Sequence, residues 1–290
     1  MIWLIGNKGM LGTELSYLLE KASLPFKGTD RELDIGDPAA LMDFVEKQSA
    51  PFTWIINCAA YTAVDKAEDD REKCRLLNTE GAQNVSKTAN KIGARLIHIS
   101  TDYVFNGNVN KPYTEEDTTD PIGVYGQSKR DGEVKILEEN AKTYIIRTAW
   151  LYGKYGNNFV QTMLRLMKEK DEVKVVNDQR GSPTWTRDLS ETIITLLNLV
   201  NEGKIIPYGI YHFTDEGEIT WFDFAREIHL QARALGILAK DCEVTPCTSA
   251  DYPAKVKRPG YSVLDKTKIK TTLNINIPSW DLSLRKFLYA

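Results

Sequence analysis

Metal-binding residue types are scarce in this chain, which has four cysteines and three histidines among 290 residues. Cys58, Cys74, Cys242 and Cys247 show no C-x-x-C spacing, and the histidines are isolated. No metal site and no disulfide framework are therefore expected, and sparse thiols fit a reducing compartment. Positive charge is not in excess either: 37 Lys and Arg against 40 Asp and Glu give a net charge of −3. That balance excludes a general affinity for nucleic acid or an anionic membrane. Long apolar runs are absent, and Met1 leads into a short apolar strand without a basic leader. Neither a signal peptide nor a membrane span is expected, which points to the cytoplasm.

Hydrophobic residues make up 42% of the chain, enough for a sizeable core. Short apolar runs alternate with helical patterns through the first half. Strands are expected at 2–5, 24–28, 54–59, 94–100 and 144–147. Between them, Leu11, Leu15, Leu18 and Ala22 share one helical face, and Asp37-Pro38 reads as an N-cap and first helical residue for a helix to about Gln48. Further helices are expected at 80–92 and 125–140. The strands are nearly continuous in apolar character, as in a parallel sheet covered on both faces. From about Leu151 the rhythm weakens, with helices near 159–168, 188–200 and 221–235 and one more strand at 208–213. The expected fold is α/β, a Rossmann-like doubly wound parallel sheet with a smaller C-terminal substrate-binding lobe. Residues 1–150, joined by the strand at 208–213, would form the nucleotide-binding domain, and residues 151–290 mainly the lobe.

Two motifs carry chemistry. Gly6-Asn-Lys-Gly9-Met-Leu-Gly12 places three glycines between the first strand and the first helix. Glycines permit the tight turn and a close backbone approach to a pyrophosphate, which the helix N-terminus then attracts. On its own such a spacing is also compatible with a plain turn. Asp30 follows at the end of the second strand, where an acidic residue bonds an adenosine ribose. Asp30 favours NADH, whereas Arg31 beside it suits the 2′-phosphate of NADPH, so either cofactor remains open. Tyr125-Gly-Gln-Ser-Lys129 is a Y-x-x-x-K pair on one helical face. A lysine ammonium beside a tyrosine stabilises the phenolate and makes the phenol a usable acid. The bare pattern is common by chance, but Thr101, just beyond the fourth strand, offers a second hydroxyl where ligands bind in parallel sheets.

Taken together the chain resembles the dTDP-4-dehydrorhamnose reductases, a family of extended short-chain dehydrogenase/reductases, over nearly its whole length. The match runs through Asn57-Cys-Ala-Ala-Tyr-Thr-Ala-Val-Asp-Lys-Ala-Glu68, Ser100-Thr-Asp-Tyr-Val-Phe105, Pro112-Tyr-Thr-Glu-Glu-Asp117, Tyr125 and Lys129. It continues through Arg147-Thr-Ala-Trp150, Gly156-Asn-Asn-Phe159, Asn177-Asp-Gln-Arg-Gly-Ser-Pro-Thr184 and Lys257-Arg-Pro259 to Asp265. The resemblance implies Thr101, Tyr125 and Lys129 as the catalytic set. It implies cofactor contacts from Gly9, Met10, Leu11, Asp30, Asp34, Ile35, Ala59, Ala60 and Tyr61. On the substrate side it implies Thr101, Asp102, Trp150, Asn158 and Arg258, the last as a pyrophosphate ligand. The implied substrate is a dTDP-linked 4-keto-6-deoxy sugar. Some members are dimers joined through magnesium held by glutamates; Glu14 matches one such position, the others find no match. Glu14 is accordingly expected to be an exposed helix residue, no metal is assigned, and a homodimer stays open.

Rival readings share the fold. Sugar-nucleotide dehydratases follow their threonine with an acidic pair, but here Asp102 precedes Tyr103. Epimerases and dehydratases tend to carry an asparagine where Trp150 stands. A non-catalytic NADP-binding subunit, resembling the regulatory subunit of methionine adenosyltransferase, would not need the intact Thr101, Tyr125 and Lys129.

Overall fold

The computed structural model describes residues 1–251 and 254–289. Ile2–Ile5 (β1) leads through the glycine turn into Met10–Lys21 (α1). Phe26–Thr29 (β2), Pro38–Glu46 (α2), Trp54–Asn57 (β3), Val64–Ala67 (α3) and Arg71–Arg75 (α4) follow. A π-helical segment, Leu76–Gly81, runs into Ala82–Lys91 (α5), then Arg95–Thr101 (β4), Val124–Glu139 (α6) and Thr143–Thr148 (β5). After Leu151–Tyr152 (β6) come Phe159–Glu169 (α7), Glu172–Val176 (β7), Arg180–Gly181 (β8), Thr184–Trp185 (β9), Thr186–Asn201 (α8) and Gly209–His212 (β10). Ile219–Thr220 (β11), Trp221–Ala234 (α9), Glu243–Cys247 (β12), Thr267–Leu273 (α10) and Trp280–Tyr289 (α11) complete the order.

Six strands pair in the order β10-β5-β4-β3-β1-β2, all parallel. The sheet is Rossmann-like, and helices cover both faces. Alternation along β1 shows why: Ile2 and Leu4 pack with α1, α8 and α10, while Trp3 and Ile5 pack with α2 and α5. Both sets are apolar because neither face meets water. Asp37 caps α2 as expected, accepting the amides of Ala39 and Ala40 at 2.9 and 3.1 Å. The α8 and α10 helices, although beyond residue 150, lie on the sheet rather than apart from it.

Glu14 departs from expectation. It is 2% exposed and paired with the Arg187 guanidinium, because α1 packs directly along α8 and turns that face inward. The smaller core gathers Tyr152, Met163, Met167, Val173, Phe224, Ile228 and Leu284 around α7, α9 and α11. A parallel pair, β7 with β12, closes its outer side. Among the described residues no helix is long and apolar enough to cross a membrane.

Candidate active site

Strand order reverses between β1 and β3, since β2 leaves on one side of β1 and β3 on the other. A parallel sheet opens a crevice at such a point, beyond the carboxyl ends of the strands. The two loops that border it are in close contact. Gly6 has a φ of +78°, and a Cβ there would lie 2.7 Å from the Ala59 amide nitrogen. At Gly12 a Cβ would lie 2.0 Å from the Gly6 carbonyl oxygen, so the turn closes only without side chains. Gly9 occupies the N-cap of α1 with no side-chain cap, leaving the amides of the first turn free for an anion. Met10 and Leu11 open that turn. This cradle suits the pyrophosphate of a dinucleotide.

The other implied cofactor residues lie in the segments that follow β2 and β3. Asp30 follows β2, and its amide donates to Glu32 Oε1 at 2.8 Å; Lys8 reaches Glu32 from the glycine turn at 3.1 Å. Asp34 is exposed and accepts the Gly36 amide at 2.8 Å, whereas Ile35 is buried against Gly81. Ala59, Ala60 and Tyr61 form the loop after β3. Asn78 of the π-helical segment clamps that loop, accepting the Tyr61 amide at 2.8 Å and donating to the Tyr61 carbonyl at 3.0 Å. Extra turns of this kind commonly sit at functional sites. Asn78 also donates to Ser128 Oγ at 3.0 Å, which ties the loop to α6.

Thr101 ends β4, and Tyr125 and Lys129 lie in the first turns of α6. Thr101 Oγ1 donates to Asp102 Oδ1 at 3.0 Å and accepts the Tyr103 amide at 3.2 Å. Burial pushes the Asp102 carboxyl up to about 6, against hydrogen bonds from Ser262 and Thr101 that favour its charge. Tyr125 meets Tyr103 edge to face at 5.5 Å between ring centres. Its phenol is raised above the ordinary value, chiefly by burial, with the nearby Thr101 hydroxyl opposing. It is therefore held protonated, as a proton donor must be. Lys129 is 2% exposed; its Nζ donates to the Ile99 carbonyl at 2.7 Å and lies 3.2 Å from His98 Nε2. Burial brings its ammonium down to about 8. A buried ion pair fixes α6 behind it: Arg147 on β5 grips Glu133 with Nε at 2.9 Å and Nη2 at 2.7 Å.

On the substrate side, the residues disperse. Arg258 pairs with Asp65, bonds the Tyr103 hydroxyl at 3.3 Å and stands over the Tyr103 ring. It thus joins the Thr101–Asp102–Tyr125 group. Trp150 follows β5 at a φ of +48° and stacks on Trp221 with ring centres 3.6 Å apart. The Trp150 ring covers Gly181, where a Cβ would lie 2.6 Å from it. Asn158 caps α7: it accepts the Gln161 amide at 3.1 Å and donates to the Gly153 carbonyl at 2.7 Å. Its side chain is committed to that turn. Sequence reasoning passed over Tyr103, Trp221, Asn78 and His98. His98 alone left a signal, a polar residue inside an otherwise apolar strand run.

The whole chain, residues 1–290, matches the family model described as RmlD substrate binding domain. A dTDP-4-dehydrorhamnose reductase from Aggregatibacter actinomycetemcomitans is 40% identical over 286 residues, 97% of this chain and 95% of that protein. The Escherichia coli dTDP-4-dehydrorhamnose reductase is 36% identical over 291 residues, 99% of this chain and 96% of that protein. Among solved structures, the Bacillus anthracis dTDP-4-dehydrorhamnose reductase in complex with NADP superposes with a TM-score of 0.91. It is 37% identical and covers 99% of this chain and 98% of its own. With its parallel sheet, its glycine cradle and matches of this extent, the chain belongs to the dTDP-4-dehydrorhamnose reductase family.

Proposed function

We propose that this chain reduces the 4-keto group of dTDP-4-dehydro-L-rhamnose to give dTDP-L-rhamnose, a polysaccharide precursor, with NADPH or NADH as reductant. What supports this reading is that Thr101 ends β4 while Tyr125 and the buried Lys129 stand in the first turns of α6, with Lys129 bonded to the Ile99 carbonyl of β4, in the same parallel sheet whose β1 opens into the glycine cradle. Gly6, Gly9, Met10, Leu11, Gly12, Asp30, Asp34, Ile35, Ala59, Ala60 and Tyr61 would hold the dinucleotide, which supplies hydride when bound. Thr101 orients the ketone by hydrogen bonding its oxygen. Tyr125 donates its proton to that oxygen as negative charge develops there. Lys129, when charged, stabilises the phenolate left behind. Arg258, Asp102 and Trp150 would face the nucleotide sugar, with Asn158 acting through the turn it caps.

Residues 1–150 with the strand at 208–213 would form the cofactor half, and residues 151–290 mainly the sugar half. Cytoplasmic residence fits this reading, as the free thiols at Cys58, Cys74, Cys242 and Cys247 suit a reducing compartment. Neither nucleic acid nor membrane is a partner in this reading, and homodimer formation is compatible with it. The test is direct: combine protein, NADPH and the 4-keto sugar nucleotide, and follow the absorbance of the reduced cofactor. Net consumption is expected; epimerases and dehydratases return their hydride within each cycle. Tyr125→Phe should lower kcat by at least about a hundredfold, the size of an acid-catalysis term. Near-normal turnover of that variant would refute the acid assignment.

A further inference from the structure

His98 is fully buried on β4, between Asn57 at the end of β3 and Lys129 on α6. Both of its ring nitrogens have partners. Nδ1 lies 3.1 Å from Asn57 Nδ2, and Nε2 lies 3.2 Å from Lys129 Nζ. The direction of each bond follows from the far end of the chain. Asn57 Oδ1 accepts the Ala59 amide proton at 3.0 Å, so the amide group must turn its NH2, a donor, toward the imidazole. Nδ1 then has to accept, and the neutral ring carries its proton on Nε2. That N–H points at Lys129.

An ammonium has only protons to offer, so a charged Lys129 would set two donors against each other. A neutral amine has no such conflict: it accepts from Nε2–H while donating to the Ile99 carbonyl at 2.7 Å. Reversing the relay moves the conflict without removing it. An ammonium donating to Nε2 puts Nδ1–H against the Asn57 NH2. Turning the asparagine amide then puts that NH2 against the Ala59 N–H.

We infer that Asn57 and His98 are positioning residues, a relay whose hydrogen-bond polarity, fixed by the Ala59 amide, favours the neutral amine of Lys129 and so governs when that lysine is charged. The inference deepens the proposed function, because it acts through the lysine assigned there to the phenolate. Other titratable groups near Lys129 leave room for this control. Glu133, one turn along α6, is already gripped by Arg147. Cys58 beyond β3 is pushed up to about 12 by burial, and burial raises the Cys74 thiol of α4 as well, so neither supplies a thiolate. Burial also holds the His98 imidazole far below its ordinary value, hence neutral. Since Ala59 lies in the loop proposed to hold cofactor, the relay links that loop to the charge on Lys129.

The chain has three histidines, so their tautomers can be read individually from long-range proton–nitrogen NMR spectra of the full protein, with His98→Gln for assignment. The wild type should show His98 neutral with its proton on Nε2. Asn57→Asp keeps the shape but replaces the NH2 donor with an acceptor, which demands a proton on Nδ1. His98 should then switch tautomer, and its Nε2 lone pair should welcome the ammonium. The alkaline limb of kcat/KM should move up by about one pH unit or more. A wild-type His98 protonated on Nδ1 overturns the relay, with or without a folded variant. So does a folded Asn57→Asp protein whose tautomer and alkaline limb are both unmoved. The tautomer is read without turnover, so a failure of the reductase reading would show separately, as no net consumption of NADPH with the 4-keto sugar nucleotide.

Discussion

Two buried basic side chains, Arg147 of β5 and Lys129 of α6, lie where that helix meets the sheet, and the groups around them differ in kind. Arg147 is met by the Glu133 carboxylate through two parallel hydrogen bonds, with Ser100 donating to the same carboxylate and Phe105 under the guanidinium. Lys129, one turn earlier on the helix from Glu133, meets a carbonyl and a neutral imidazole, and no carboxylate among the described residues pairs with it. The first arrangement keeps a permanent charge paired and serves to hold helix to sheet. The second leaves a charge that burial opposes and that therefore changes near neutral pH. A buried cation is structural when a carboxylate answers it, and available for chemistry when one does not.

The largest effect that would break this contrast is at Glu133. Glu133→Gln keeps the volume but leaves Arg147 uncompensated, and should cost about 3–5 kcal/mol in urea denaturation. A neutral outcome would remove the structural reading of that pair. Lys129→Met should act in the opposite sense, raising stability at pH 7 by about 2 kcal/mol, after allowing for the lost bond to Ile99, while turnover collapses. The sign follows from linkage. The folded chain holds the Lys129 proton down to about 8 against an ordinary 10.5, so between those values the unfolded chain binds more protons. Wild-type stability should therefore gain from this group as pH rises from about 8 to 10.5, and Lys129→Met should lose that slope. Destabilisation by Lys129→Met at neutral pH would show that the lysine is held like the arginine. Smallest is Ser100→Ala, which withdraws one donor from Glu133 and should cost about 1.5 kcal/mol by thermal or urea denaturation. No measurable change there would mean that Arg147 alone satisfies the carboxylate.

Legibility in the sequence tracks how local the cause is. The strand Ile2–Ile5 and the cap at Asp37 were readable because apolar continuity and an Asp-Pro pair act within a few residues. The helix expected from residue 80 begins in regular form only at Ala82, because the preceding turn widens into the π-helical segment that carries Asn78 to Tyr61 and Ser128. Nothing local announces that contact. Strand β7 pairs with β12, its partner register lying some seventy residues away, while Val173 and Val175 turn inward onto α7 and α9. Glu14 looked like a solvated helix residue, since only the packing of α1 on α8 brings Arg187 to it.

By itself the sequence determined the parallel sheet, the glycine turn and the family, because apolar periodicity, glycine spacing and ordered motifs are properties of the chain in one dimension. It also named Thr101, Tyr125 and Lys129. Tertiary structure alone decided how those groups are charged. Burial keeps the Tyr125 phenol protonated and brings Lys129 to about 8, and the direction of the His98 bonds follows from Asn57 at the end of the neighbouring strand and Ala59 in the loop beyond it. Protonation depends on desolvation and on partners distant in sequence, and neither exists until the chain has folded.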